Sequence, residues 1–150
     1  MIIVLIFAII DQVLKHIIEK NIQILPIEIM KNLLTIQYVQ NFGIAFGLGI
    51  ERKILLITVN LIIIIGIAVY LFHKIDVISS KNNFFLSIII AGGIGNLIDR
   101  ICRGYVVDYI DIIPKLNFPV FNFADIIIVI GIIYLIVEII CNEIKINENF

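Results

Sequence analysis

Long uninterrupted stretches of apolar residues recur along this chain and are separated by polar segments. Four of them are about 20 residues long, the length at which an α-helix crosses a hydrocarbon layer about 30 Å thick. They cover residues 1–18, 54–72, 84–101 and 122–141. The pattern predicts one integral membrane domain over residues 1–150, with an all-α core of four transmembrane helices. An even number of spans places both termini on the same side.

Residues 21–49 differ both from a span and from a polar linker. Apolar β-branched residues alternate in part with polar ones, as between Leu34 and Gln40, and this alternation is typical of short strands. An amphipathic helix lying in the membrane interface is the alternative. Glycines between positions 43 and 49 then indicate a bend before the second span. We expect a small β-rich surface subdomain between helices 1 and 2.

Composition excludes several classes of protein. Hydrophobic residues make up 61% of the 150 residues and charged residues only 15%, far from the average of soluble proteins. A net charge of -1 provides no basic face for nucleic acid. The two cysteines and two histidines lack the spacing of a metal site. We therefore expect no nucleic-acid partner, no metal and no other cofactor.

The third predicted helix has one polar, glycine-rich face. At about 100° per residue, one arc holds Gly92, Gly93, Gly95, Asn96, Asp99, Arg100 and Arg103, whereas Ile94, Leu97, Ile98 and Ile101 lie opposite and suit lipid. Helix packing explains the glycines. It does not explain Asn96 and Arg100, which are costly in a membrane. Asp99 precedes Arg103 by four residues, so we expect Asp99 to be mainly its structural counter-ion.

Asp108 and Asp125 lie at the ends of two very apolar segments, where a lone carboxylate is costly. If they approach each other in a poorly hydrated site, they share a proton and serve as base and acid for hydrolysis of an amide. The same pair could instead move protons in a small proton-coupled carrier. Asp125 also follows Asn122 by three residues, the spacing of a helix capping box. Contact between the two carboxylates is permitted by this spacing but not required by it.

A carrier needs polar residues along several helices at mid-depth. The second span offers only Thr58 and Asn60, and the fourth is apolar from Ile126 to Val137 apart from Gly131 and Tyr134. A path across the membrane is therefore poorly supplied with polar groups. The residues favour a hydrolase, with the carrier as the alternative.

Five motifs, in this order along the whole chain, resemble those of the bacterial lipoprotein signal peptidase family, also called type II signal peptidase. They are Asp11-Gln12 with Lys15, residues 41–46, Gly95-Asn96 with Asp99-Arg100, residues 104–108, and residues 121–125. The resemblance implies an aspartic endopeptidase of the bacterial cytoplasmic membrane. Such an enzyme removes the signal peptide from diacylglyceryl-modified prolipoproteins, cleaving before the lipidated cysteine.

The resemblance also implies roles for individual residues. Asp108 and Asp125 match the catalytic pair. The positions that match substrate-binding or dyad-supporting residues are Asn41, Asn96, Arg100 and Asn122. The positions that match structural motif residues are Asp11, Lys15, Asp99 and Gly104. Ile44 stands where the family often has a small residue, which would narrow the substrate groove.

Topology and partners follow from the same resemblance. It implies cytoplasmic termini, an active site toward the outer leaflet and a small sheet over the membrane surface. The charge pattern alone favours the opposite orientation, because the two longer loops carry more Lys and Arg than the short loop and the C-terminal segment. We follow the family. The expected partners are lipid-modified prolipoproteins and membrane lipids, and the chain is expected to be a monomer.

Overall fold

The computed structural model describes residues 2–43, 50–74, 78–116 and 118–147. The four helices are α1 (Ile2–Lys20), α2 (Ile50–Lys74), α3 (Ser80–Cys102) and α4 (Phe123–Asn147). The three strands are β1 (Ile27–Met30), β2 (Leu34–Asn41) and β3 (Val106–Ile112). The bend predicted before the second span, together with Ile44, lies outside the described residues.

Three of the helices are long and apolar enough to cross a membrane. Their qualifying segments are Ile54–Lys74, Ser80–Cys102 and Phe123–Asn142. Helix α1 is of similar length but carries Asp11, Lys15, Glu19 and Lys20, so composition alone does not qualify it. The described part of the chain therefore supports a mostly helical, membrane-embedded fold with three of the four predicted spans.

Helix α3 is the centre of the bundle because the other three helices all pack against it. Its small residues allow this crowding, and Ala91 is fully buried with Ile88 and Ile127 in the core. Leu97, which the helical wheel placed toward lipid, is buried as well. That expectation was wrong because neighbouring helices leave α3 a narrower lipid-facing strip, on which Ile101 is exposed.

Helix α2 has a different environment from α3. No residue of its most apolar window is buried inside the protein, so its side chains suit contact with lipid. Within the span, the Asn60 amide Nδ2 donates a hydrogen bond to the carbonyl oxygen of Gly93 at 3.0 Å. This bond gives a polar residue of the second span a partner on α3.

Close packing of α3 on α4 at Gly92 leads to a stability prediction. A Cβ at this position would lie 2.6 Å from the carbonyl oxygen of Ala124 and 2.7 Å from Cγ1 of Ile128. Gly92→Ala is therefore expected to destabilise the fold by about 1–3 kcal/mol. The matched control is Gly66→Ala on α2, where nothing lies within 4 Å. Melting in detergent should show a lower midpoint for Gly92→Ala alone; equal midpoints would contradict the packing.

The three strands form one antiparallel sheet in the order β1-β2-β3. Strands in the 21–49 region were predicted, and the alternative of an interfacial helix there is wrong. The third strand comes from between α3 and α4, so the subdomain is not confined to the segment between helices 1 and 2. Val39 pairs with Asp108 and Asn41 with Val106 across β2 and β3. Strand β3 is rich in β-branched residues, and its backbone N–H and C=O groups find hydrogen-bond partners on β2.

A tight turn places β3 directly beside the end of α3. Gly104 has φ +89°, a conformation that a side chain disfavours, which accounts for glycine at this predicted motif position. After β3 the chain returns, and Phe121 pairs with Ile110. Asp108 on β3 and the first turn of α4 are thereby brought to the same end of the helix bundle.

Candidate active site

Two asparagine side chains connect Asp108 and Asp125. Asn122 Nδ2 donates to Asp108 Oδ1 at 2.6 Å and to Asn96 Oδ1 at 3.1 Å. Asn96 Nδ2 in turn donates to Asp125 Oδ1 at 2.8 Å. The structure thus gathers both predicted carboxylates and two predicted supporting residues, drawn from α3, β3 and the start of α4, into one hydrogen-bonded group.

Asp125 also takes part in the predicted capping box. Its backbone N–H donates to Asn122 Oδ1 at 3.0 Å, and the backbone N–H of Asn122 donates to Asp125 Oδ2 at 3.2 Å. One carboxylate oxygen therefore serves the helix cap while the other accepts from Asn96. Its place at a helix N-terminus favours a negative charge there. Capping and membership of the carboxylate pair are compatible.

Asp108 is buried on β3, with 1% of its surface exposed. Its Oδ2 accepts a hydrogen bond from Asn41 Nδ2 at 2.8 Å, and the Asn41 side chain is itself held by the backbone N–H of Gly43 at 2.8 Å. Burial raises the pKa of Asp108 to about 6; the bonds from Asn41 and Asn122 oppose this rise, and the negative charge of Asp125 adds to it. Asp108 is thus suited to hold a proton in mildly acidic conditions.

Arg100 lies on the same face of α3 as Asn96. Its guanidinium interacts electrostatically with Asp125 and Asp108, and Nη1 donates to the carbonyl oxygen of Asn96 at 3.4 Å. Among the described residues no carboxylate forms an ion pair with it. A positive charge placed beside both carboxylates can bind a carbonyl oxygen or stabilise developing negative charge.

Behind these residues lies a buried ionic cluster, which we define as Asp11, Lys15, Asp99 and Arg103. Lys15 Nζ lies 2.8 Å from Asp11 Oδ2 and 3.0 Å from Asp99 Oδ2, and these three side chains are fully buried. Arg103 Nη1 lies 2.6 Å from Asp99 Oδ1, so the predicted pair is present. Asp99 does more than pair with Arg103, since it also accepts from Lys15 and from the backbone N–H of Val107 at 3.1 Å.

The ionic cluster ties the first helix to the last. Asp11 Oδ1 accepts from the backbone N–H of Ala124 at 3.1 Å, in the first turn of α4. Gly95 allows this approach because a Cβ there would overlap the Asp11 carboxylate. The predicted structural residues Asp11, Lys15 and Asp99 thus lie directly behind the carboxylate pair.

Several contacts at the site were not predicted. Gln12 Nε2 donates to Asp99 Oδ1 at 3.0 Å and to the carbonyl oxygen of Gly95 at 3.1 Å, and Glu19 pairs with Arg103 at 3.0 Å. Tyr109 Oη accepts from the backbone N–H of Phe123 at 3.3 Å. Gln12, polar inside an apolar stretch, was a usable signal. Glu19 gave none, because a charge near a helix end is ordinary.

Two cavities flank the carboxylate pair. The first has a volume of about 310 Å³ and is lined by Val39, Gln40, Asn41, Phe42, Asp108, Pro119 and Val120. The second, about 240 Å³, is lined by Leu56, Val59, Asn60, Ile63, Gly93, Asn96, Arg100 and Ile128. Within the described ranges, no three His, Cys, Asp or Glu side chains are placed to hold a metal ion.

A buried carboxylate, Asp108, and a half-buried one, Asp125, linked through two asparagines beside apolar helices, fit a membrane-embedded, aspartic-type hydrolase. A sequence model described as signal peptidase (SPase) II matches residues 3–141. The chain belongs to the signal peptidase II family.

Individual relatives agree with this assignment. The lipoprotein signal peptidase of Clostridium novyi (strain NT) is 43% identical over 111 residues, which cover 73% of this chain and 74% of that protein. The lipoprotein signal peptidase of Streptococcus pneumoniae (strain ATCC BAA-255 / R6) is 35% identical over 97% of this chain and 95% of that protein. A solved structure described as a bacterial membrane enzyme has a TM-score of 0.82 and 33% identity, over 95% of this chain and 87% of its own.

Proposed function

We propose that this protease cleaves diacylglyceryl-modified prolipoproteins before the lipidated cysteine, using Asp108 and Asp125 as its catalytic pair. The observation that carries the assignment is the link between the two carboxylates through Asn122 and Asn96. Members of its family named lipoprotein signal peptidase give the substrate class.

In the proposed reaction, Asp125 is the base and Asp108 is the acid. Ionised Asp125 takes a proton from water as the water oxygen bonds to the scissile carbonyl carbon, while protonated Asp108 gives its proton to the carbonyl oxygen. The resulting gem-diol collapses as the C–N bond breaks: Asp125 gives the proton it gained to the leaving nitrogen, and one hydroxyl returns its proton to Asp108 as the carbonyl re-forms. Both carboxyl groups thereby regain their starting protonation states. Asp125 accepts hydrogen bonds from Asn96 Nδ2 on α3 and from the backbone N–H of Asn122, as an ionised base would, and the raised pKa of Asp108 suits the acid.

Arg100, Asn41 and the two cavities provide places for substrate. The cavity between α2, α3 and α4 is mostly apolar apart from Asn60, Asn96 and Arg100, which suits the apolar signal peptide with Arg100 near its backbone carbonyls. The cavity beside Asn41 and Asp108 opens at the sheet, where the chain around the modified cysteine would lie. The scissile bond would then cross the carboxylate pair.

The proposed topology places α1 as a fourth span in the bacterial cytoplasmic membrane, with the termini in the cytoplasm and the site toward the outer leaflet. Full burial of Asp11 and Lys15 supports this, because their charges face protein and not lipid. The whole chain would act as one monomeric domain, with membrane lipids as its other partners. A carrier needs free polar side chains along several helices. Its function is not favoured, because the side chain of Asn60 in the second span is already hydrogen-bonded to the carbonyl oxygen of Gly93.

The decisive experiment compares cleavage of a diacylglyceryl-modified prolipoprotein with cleavage of its unmodified form. The purified protein in lipid or detergent is expected to cleave only the modified substrate, at the bond before the cysteine, as mass spectrometry would show. The Asp108→Asn variant controls for contaminating proteases. Equal cleavage of both forms would contradict the substrate assignment, and proton flux in liposomes without cleavage would support the carrier.

The hydrogen bond from Asn41 leads to a prediction on pH dependence. Because the acid Asp108 must be protonated, activity is expected to fall as pH rises through the pKa of about 6. Asn41 stabilises the ionised form, so Asn41→Ala raises this pKa and should move the descending limb of the kcat/KM profile, which reports groups of the free enzyme, upward by about 0.5–1 pH unit. Gln37→Ala is the control, since Gln37 Nε2 donates to a different carboxylate of β3, Asp111 Oδ2, at 2.7 Å. A limb that moves to lower pH would contradict the assignment of Asp108 as acid.

A further inference from the structure

Lys15 is a fully buried charge that takes no part in the proposed proton transfers. Its ammonium has three partners: the carboxylates of Asp11 and Asp99, and the amide oxygen of Asn96 at 3.0 Å. The two carboxylates balance its charge. The bond to Asn96 is different, because it reaches a neutral residue that also contacts Asp125.

The neighbours of Asn96 permit one orientation of its amide. Lys15 Nζ and Asn122 Nδ2 both donate to Oδ1 of Asn96, and only the oxygen end of an amide accepts hydrogen bonds. The nitrogen end must therefore face Asp125, to which it donates at 2.8 Å. The reversed amide would place N–H groups against an ammonium and an oxygen against a carboxylate.

We infer that Lys15 is a positioning residue for the catalytic pair, acting through the amide of Asn96. Its ammonium fixes Oδ1, which directs Nδ2 to Asp125 and keeps the carboxylate in place as base. Without Lys15, Asn122 alone would orient the amide, and the reversed orientation would become accessible. This role rests on the proposed catalytic pair and extends it to a residue that touches neither carboxylate of that pair.

A test must remove Lys15 without leaving its partners as uncompensated buried charges, because breaking a buried ion pair by one member is strongly destabilising. The paired variant Lys15→Met with Asp11→Asn removes one positive and one negative charge, so the net charge of the ionic cluster is unchanged. Asparagine at position 11 still accepts from the Ala124 N–H through its amide oxygen. Glu19→Gln is the matched control, because it alters a charge that pairs with Arg103.

The experiment is a double-mutant cycle between the paired variant and Asn96→Ala. Single-turnover rates, with enzyme in excess so that slow cleavage is measured, are expected to fall roughly 100-fold for the paired variant and for Asn96→Ala. Because Lys15 acts through Asn96, the combined variant should be no slower than about threefold below Asn96→Ala alone, since residues that act as a unit are non-additive. Glu19→Gln should keep the wild-type rate.

Melting curves establish that each protein is folded. Multiplying losses in the combined variant would show that Lys15 acts independently of Asn96 and would overturn the inference, as would a paired variant with nearly wild-type rate. If the paired variant does not fold, Lys15→Leu with Asp11→Asn, which also removes the donor to Asn96 and leaves the net charge of the ionic cluster unchanged, enters the same cycle with the same expectation. Activity in folded Asp125→Asn would overturn the catalytic pair itself. If Asp125→Asn is inactive but the losses of the paired variant and Asn96→Ala multiply, only the role of Lys15 is overturned.

Discussion

Asp108→Asn and Asp125→Asn are each expected to reduce kcat for prolipoprotein cleavage by a factor on the order of 10³ to 10⁴. An amide at position 125 cannot take a proton from water, and an amide at position 108 cannot give a proton to the carbonyl oxygen. Both substitutions preserve shape. The loss should therefore appear in kcat, with substrate binding little changed.

Folding of these variants separates a chemical defect from a structural one. Burial raises the pKa of Asp108 to about 6, from about 4 in an unfolded chain, so the folded state is progressively destabilised, relative to the unfolded chain, as pH rises from about 4 to about 6. Removing this carboxyl group relieves that cost. An asparagine at this position keeps only one acceptor for the two donors Asn41 and Asn122, so the two effects oppose each other and the melting temperature of Asp108→Asn at pH 8 is expected to lie close to that of the wild type.

Asp111→Asn is the matched control for Asp108→Asn. Asp111 is also a buried carboxylate of β3, but it accepts a hydrogen bond from Gln37 Nε2 at 2.7 Å on a different part of the sheet. Its substitution should leave cleavage within about threefold of the wild type, in line with substitutions that change no group at a reacting centre. Substantial activity in folded Asp108→Asn or Asp125→Asn would refute the catalytic assignment.

The second large effect is expected at Asn122, which has two separable roles. Its Nδ2 donates to Asp108 and to Asn96, while its Oδ1 caps α4 by accepting from the Asp125 N–H. Asn122→Ala loses both and should lower kcat on the order of 100-fold and stability by about 1 kcal/mol. Asn122→Ser keeps a capping oxygen but not the amide donor.

Comparing these two variants assigns the roles. Asn122→Ser is expected to melt near the wild type yet to be about as slow as Asn122→Ala, because the amide that bridges the carboxylates is absent from both. Recovery of activity in Asn122→Ser would show that the cap, and not the bridge to Asp108, matters for cleavage. Rates and melting curves on the same preparations decide between them.

Uninterrupted apolar runs predicted the helices well, because a helix that crosses a membrane needs about 20 apolar residues in succession. Each of the four predicted segments forms a helix, with limits that differ from the predicted ones by a few residues, and α2, α3 and α4 contain segments long and apolar enough to cross a membrane. Strand β3 was missed because residues 106–112 contain two aspartates and adjoin an apparent loop. Four of these seven residues are β-branched, namely Val106, Val107, Ile110 and Ile112, but the partner strand that stabilises them lies far away in sequence.

The candidate site shows a similar division. Costly polar residues near lipid identified Asn96, Arg100, Asp108 and Asp125, because a membrane leaves such groups few structural explanations. Their mutual arrangement was not predictable, since local spacing shows only contacts along one helix, such as Asp99 with Arg103. The contacts of Lys15 with Asn96 and of Asp11 with Ala124 join segments that are distant in sequence. Only the packing of α1 against α3 and α4 brings these residues together.

The hydrogen bond from the Ala124 backbone to Asp11 joins α1 to α4, which is synthesised well after it. Until α4 arrives, the Asp11 carboxylate lacks this partner, and both Asn122 and Asp125 are missing from the site. A chain still emerging from the ribosome therefore lacks part of the proposed catalytic set. On the proposed assignment, proteolytic competence is acquired late in biogenesis, once α4 has docked.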